Sequence, residues 1–182
     1  MATYTFNLNG QHVSVDCAGE LHLLWVLRDL LGVHGPKYGC GLDVCKACTC
    51  HINGKTFNPC PVRVGDIQPT DRITTIEGLP ATVEERLQPM QQAWLKYDVA
   101  QCGYCQPGQI MAAVALANEI TAEGRQITDA DLDSLGTSAA AAHTRASARP
   151  SSRRRPVCEM RSLALDQPDQ RCPRTWRRCG TS

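Results

Sequence analysis

No stretch of about 18 apolar residues occurs in the 182-residue chain, so no membrane-inserted helix is expected. No secretory leader is expected either. Met1-Ala2-Thr3-Tyr4-Thr5-Phe6 has neither a basic start nor an apolar centre and reads straight into a strand. Net charge is nearly absent at +1, which removes any whole-chain argument for a polyanionic partner such as nucleic acid. That balance conceals a split. Residues 1–135 carry 9 Lys+Arg against 15 Asp+Glu, residues 136–182 carry 10 against 3, and all ten bases of that last segment are arginine. The segment also lacks any apolar period and reads as a disordered basic tail.

Cysteine, by contrast, is abundant, with 11 residues. A secreted disulfide framework is one reading of such a count. The clustering at positions 40, 45, 48, 50 and 60, then 102 and 105, is instead a metal-site spacing that fits a reducing compartment. A cytoplasmic location is expected, or a periplasmic one if the chain is exported together with a partner.

Local patterns organise the first 135 residues. Thr3–Leu8 alternates apolar and polar residues, Asn9-Gly10 is a type I′ hairpin signal, and Gln11–Val15 supplies the return strand. Leu21, Leu23, Leu24, Val26, Leu27, Leu30 and Leu31 recur at helical spacing before Gly32. Residues 35–50, rich in Gly and Cys, read as a binding loop. Cys50–Ile52, Asn53-Gly54 and Lys55–Phe57 form a second hairpin candidate, and Arg72–Ile76 a further strand. From about 82 the pattern turns helical, with candidates at 83–87 and 90–99 around Pro89. Another spans Gly108–Ile120 behind Pro107, and Thr128 is placed to cap a short turn over 129–135. The reading is an α+β chain with a first domain at 1–79, a helical domain at 80–135 and the tail at 136–182.

The first cysteine group has the spacing Cys40-x4-Cys45-x2-Cys48-x11-Cys60, which meets the C-x4-C-x2-C…C ligand pattern of plant-type [2Fe–2S] clusters. Four thiolates must converge there while backbone N–H groups turn inward to the sulfurs. Gly35, Gly39 and Gly41 would allow that turning. A structural zinc site would favour two C-x2-C pairs at finger-like separation. Cys17 and Cys50 fall at strand positions and read as packed thiols.

The second group, Gln101-Cys102-Gly103-Tyr104-Cys105-Gln106-Pro107-Gly108, sets a C-x2-C at the mouth of a helix. Alone, that pair is ambiguous between a redox dithiol, half a zinc site and half a cluster site. Taken with Gly35-Pro36-Lys37-Tyr38-Gly39-Cys40-Gly41 and Cys45-Lys46-Ala47-Cys48-Thr49, residues 3–135 resemble the small iron–sulfur subunit of the xanthine dehydrogenase, or molybdenum hydroxylase, family. The resemblance implies a β-grasp plant-type ferredoxin domain followed by a four-helix bundle, with one [2Fe–2S] cluster in each. It implies a large partner subunit carrying a molybdopterin cofactor, where the substrate chemistry occurs. Electrons would pass from molybdenum through the bundle cluster to the ferredoxin cluster, and on to a flavin (FAD) subunit, a cytochrome or a quinone. By the same resemblance Gln101 lies beside the pterin, and Cys102 and Cys105 are half of the bundle cluster. No residue of this chain is expected to be catalytic. A stand-alone [2Fe–2S] ferredoxin is the alternative, although a simple ferredoxin lacks the QCGYCQPG helical unit. Lys46 departs from the family, which usually has Gly there. Its charge either raises the cluster potential or points to solvent.

The family completes the bundle cluster with Cys-Arg-Cys-Gly some thirty residues after the C-x2-C, and no C-x-C follows Cys105 here. The helical domain is therefore read as truncated. Over residues 137–151, TSAAAAHTRASARPS, each residue can be re-read from the last base of the preceding codon and its own first two bases. The four alanines then allow Cys, Arg, Cys and Gly in turn, and the whole stretch allows NICRCGTYPRIREAI. Ala139, where the first missing cysteine would fall, is separated from Cys105 by 33 residues. A frameshift between about Leu135 and Thr137, in the gene or in its sequencing, accounts for the string and for the lysine-free tail. A genuine basic tail would instead bind nucleic acid or an acidic partner, but it lacks the interleaved aromatics and folded scaffold that such binding uses.

Overall fold

A computed structural model describes residues 1–82, 88–96, 98–128, 130–131 and 134–135. The helix expected at 83–87 and the disorder expected of 136–182 lie outside these residues.

Strands β1 (Ala2–Leu8) and β2 (Gln11–Cys17) pair antiparallel, with Leu8 opposite Gln11. Asn9 and Gly10 both take positive φ, +53° and +84°, as the type I′ turn requires. The second hairpin repeats the device. Asn53 and Gly54, at +51° and +85°, join β3 (Cys50–Ile52) to β4 (Lys55–Phe57). Strand β5 (Arg72–Thr74) lies between the hairpins, parallel to β1 and antiparallel to β3, so the sheet order is β2-β1-β5-β3-β4.

One face of the sheet closes on a helix. Phe6, Leu8, Val15 and Ile73 alternate inward and bury against Leu23, Val26 and Leu27, with Val64 and Ile67 closing the side. The helix is shorter than the leucine spacing suggests: α1 (Leu23–Trp25) runs into a π-helical turn, Val26–Leu30. Leu21 stays outside because tertiary pairing claims its neighbourhood. Its carbonyl accepts from the Val64 amide, and the Leu23 amide donates to Val62. The Leu31 amide reaches back to Val26 across five residues, which leaves Leu30 exposed. The turn also carries Arg28, whose Nη1 donates to the carbonyls of His34 at 3.0 Å and Pro36 at 2.7 Å. The helix end is thereby tied to the start of the cysteine loop.

The helical part contains α2 (Pro89–Lys96) and α3 (Gln106–Glu123). Pro89 heads α2, whose first turn has no use for its missing N–H, and the helix ends at Lys96, short of the expected residue 99. Gly124, at φ +64°, ends α3 by donating to Ile120 and Thr121 carbonyls. Thr128 and Asp131 bond reciprocally, amide to carboxylate and amide to hydroxyl, as a capping box does. Leu79, Met90, Ile110, Met111, Val114, Ile120 and Ile127 form the core of this part. Among the described residues no helix is long and apolar enough to cross a membrane.

The two parts touch directly. His51 Nε2 donates to the Met111 carbonyl at 2.8 Å, and Tyr104 Oη donates to the Tyr38 carbonyl. A Cβ on Gly108 would stand 2.3 Å from the Lys46 carbonyl oxygen.

Candidate iron–sulfur site

The loop from residue 35 to residue 48 is held at several points before any metal is considered. The Gly35 amide donates to Glu77 Oε1 at 2.6 Å, the Lys37 amide to the Ala47 carbonyl, and the Tyr38 ring packs 5.0 Å from Trp25. The three loop glycines serve different ends. Gly41 alone takes a left-handed φ, +69°. Gly35 and Gly39 are needed for close approach: a Cβ would stand 2.2 Å from Ile76 Cγ2 at the first and 2.6 Å from Cys45 Sγ at the second. Asp43 and Lys46 are left-handed without being glycine, at φ +60° and +59°. Lys46 Nζ pairs with Asp43 at 2.9 Å, so its charge is partly compensated.

The loop turns its amides toward sulfur. Cys40 Sγ accepts from the amides of Leu42, Val44 and Cys45, each at 3.3 Å, and the Cys40 amide donates to Cys45 Sγ at 3.4 Å. These bonds, led by the Cys45 and Leu42 amides, lower the Cys40 thiol to about 7. The other two thiols sit in the opposite environment. Cys48 and Cys60 are buried beside Leu24, and burial, with the neighbouring Cys60 thiol, pushes Cys48 up to about 12. A buried thiol of that kind becomes a thiolate when a cation takes up the charge, with release of the proton. The arrangement is thus two pairs, Cys40 with Cys45, joined by the Cys40 amide donating to Cys45 Sγ, and Cys48 with Cys60, buried together beside Leu24. Among the described residues no three His, Cys, Asp or Glu side chains gather as a single ion would require. Two pairs of thiols, one wrapped in amide N–H groups, fit the donor set of a two-iron cluster.

Cys50 is fully buried, its thiol raised by burial and directed at the Cys48 carbonyl, and Cys17 sits in the sheet core. Both are placed as packed thiols. Cys105 precedes α3 and accepts a long bond from Gln106 Nε2 at 3.4 Å, while Cys102 and Gln101 are exposed. Gln106 Oε1 in turn accepts from Trp94 Nε1. This second site has two thiols where a cluster takes four, so the described residues do not fit a second [2Fe–2S] group. Arg28, Glu77 and Asn58, whose amide oxygen lies 2.8 Å from Thr49 Oγ1 and 3.9 Å from Cys48 Sγ, hold the site in ways the sequence pattern does not signal.

Comparison with known proteins finds two family matches. A 2Fe-2S iron-sulfur cluster binding domain matches residues 6–71, and a [2Fe-2S] binding domain matches residues 75–136. The alpha chain of isoquinoline 1-oxidoreductase from Brevundimonas diminuta is 45% identical over 116 residues, covering 63% of this chain and 74% of that protein. The chain belongs to the iron–sulfur subunits of the molybdenum hydroxylase family. A nicotinate dehydrogenase subunit of Pseudomonas putida, also in this family, is 42% identical over 118 residues, covering 65% and 73% of the two chains. Among solved structures, the aldehyde oxidoreductase of Desulfovibrio desulfuricans superposes with a TM-score of 0.67 at 30% identity, covering 76% of this iron–sulfur chain. The chain spans only 15% of that larger protein. Quinoline 2-oxidoreductase of Pseudomonas putida contains a chain of similar extent, with a TM-score of 0.58, 26% identity, and coverage of 79% and 94%.

Proposed function

We propose that Cys40, Cys45, Cys48 and Cys60 hold a [2Fe–2S] cluster, and that this chain is the electron-transfer subunit of a molybdopterin-dependent hydroxylase. The observation that carries the reading is the pair of thiol pairs, one solvated by amide N–H groups and one buried beside Leu24. Such a cluster supplies one-electron reduction and reoxidation without a change of ligands. The chain's own residues do the rest. The loop amides of Leu42, Val44 and Cys45 stabilise negative charge on sulfur. Arg28 and Glu77 fix the loop, and Leu24 with the Cys48–Cys60 pair excludes water from the inner side.

Its relatives are subunits of oxidoreductase complexes, which supports a molybdopterin-containing partner. For the acceptor we propose a flavin subunit or a cytochrome, reached through the solvent-facing Cys40 side of the loop. The free thiols of the described residues are consistent with assembly in the cytoplasm.

The ligand set is tested by substitution. Cys60→Ser is expected to abolish the visible absorption of the first cluster, and Cys50→Ala to keep it while lowering stability by about 1 kcal/mol. Loss of the cluster in Cys50→Ala with its retention in Cys60→Ser would overturn the assignment.

A further inference from the structure

The His34–Gly35 peptide, where the chain enters the cysteine loop, is gripped by opposite charges at its two polar ends. Its carbonyl accepts from Arg28 Nη1 at 3.0 Å, and its N–H donates to Glu77 Oε1 at 2.6 Å. Cation meets oxygen and anion meets hydrogen, so both bonds are charge-assisted. The same Arg28 Nη1 also reaches the Pro36 carbonyl at 2.7 Å.

Both charges are delivered from outside the loop. Arg28 stands on the π turn that follows α1. Glu77 follows β5 and is held from the sheet side, its Oε2 accepting from Thr75 Oγ1 at 2.6 Å. Thr75 is fully buried and exchanges bonds with Asn9 of the first hairpin turn. The Thr75 amide donates to Asn9 Oδ1 at 2.8 Å, and Asn9 Nδ2 donates to Thr75 Oγ1 at 3.0 Å. The carboxylate is therefore oriented by the sheet, and Gly35 leaves it room. A Cβ there would lie 2.4 Å from Glu77 Oε2.

The grip bears on both limbs of the loop. One limb runs on to Cys40, and the Lys37 amide donates to the carbonyl of Ala47, the residue before Cys48. Neutral groups would suffice to anchor a backbone, but fixed charges also act on an added electron. A cation favours it and an anion opposes it. Net charge and hydrogen bonding to sulfur set the potential of such clusters.

We propose that Arg28 and Glu77 are paired positioning residues for the Cys40–Cys60 cluster: they clamp the His34–Gly35 peptide from opposite ends, and their opposed charges balance the potential at which the cluster takes its electron. The inference rests on the iron–sulfur reading of the chain and deepens it. Lys37 Nζ also donates to the His34 carbonyl, at 2.7 Å from the solvent side. It is kept in every variant, so its effect cancels from the comparison.

The test is a potentiometric titration of the full chain, assembled with iron and sulfide under anaerobic conditions and followed by its visible bands. Glu77→Gln keeps the shape and an acceptor for the Gly35 amide but removes the anion, so the midpoint potential is expected to rise. Arg28→Gln removes the cation, and the potential is expected to fall. Arg28→Lys keeps the charge and is expected to stay closer to the parent than Arg28→Gln does. The double variant with both glutamines is expected to lie between the two single ones. An anchor without an electrostatic role would loosen the loop in either single variant and shift both the same way. Shifts of one sign, or no shift in either, would overturn the clamp. Should Glu77→Gln hold no cluster, the arginine variants decide: a lower potential in Arg28→Gln than in Arg28→Lys supports the clamp, and equal potentials overturn it. Should Arg28→Gln hold none, a rise in Glu77→Gln supports it, and an unchanged or lower potential overturns it. A parent chain without visible bands would sink the iron–sulfur reading and the clamp with it, whereas bands with unmoved potentials would sink the clamp alone.

Discussion

Gly108 and Lys46 meet backbone to backbone: a Cβ added to the glycine would lie 2.3 Å from the Lys46 carbonyl oxygen and 3.1 Å from that of Ala47. The Lys46–Ala47 peptide runs between Cys45 and Cys48, so the first turn of α3 presses on the backbone of the proposed cluster loop. Gly108→Ala is expected to push the helix from the loop and destabilise the protein by about 1–3 kcal/mol, as overpacking does. Denaturant unfolding measures this, and an unchanged midpoint would show that the contact yields without cost.

Lys46 holds φ +59°, a left-handed backbone that glycine adopts without strain. Relief of left-handed strain is worth roughly 1–2 kcal/mol, against about 0.5–1 kcal/mol for the entropy of the new glycine. Lys46→Gly is therefore expected to raise stability by at most about 1.5 kcal/mol. It also removes the cation paired with Asp43 and leaves that carboxylate near the cluster, so the midpoint potential is expected to fall. A potentiometric titration reads the shift, and a rise would contradict the placement.

Burial lowers the pKa of His51, and its bond to the Met111 carbonyl offsets this only in part. Above the unfolded value of about 6.5, histidine is neutral in both states and stability is complete. Below it the unfolded chain takes up a proton that the folded chain resists, so stability falls with pH. At pH 5.5 the loss from this group is at most about 1.4 kcal/mol. Unfolding midpoints at pH 7.5 and 5.5 are expected to differ less in His51→Gln than in the parent. An equal difference would place the acid sensitivity elsewhere.

Much of this arrangement is local and therefore readable. Asn9-Gly10 and Asn53-Gly54 announce their hairpins because only residues tolerant of positive φ close such turns. The Cys40–Cys60 spacing is legible because metal chemistry fixes ligand intervals. What escapes is set by distant partners. Leu21 has the helical spacing but is held by Val64, and Arg28 in the π turn reaches His34 and Pro36. Glu77 anchors Gly35 from 42 residues away, which no local pattern encodes. Gly35 and Gly39 were legible as necessary, but their reason, close approach instead of backbone turning, required the neighbours Ile76 and Cys45.

The central claim is that Cys40, Cys45, Cys48 and Cys60 hold a two-iron cluster. Iron and acid-labile sulfide per chain, determined on protein purified without oxygen, test it most directly. The account predicts about two of each for the chain as written, in a red-brown protein. A colourless protein carrying zinc and no sulfide would contradict it.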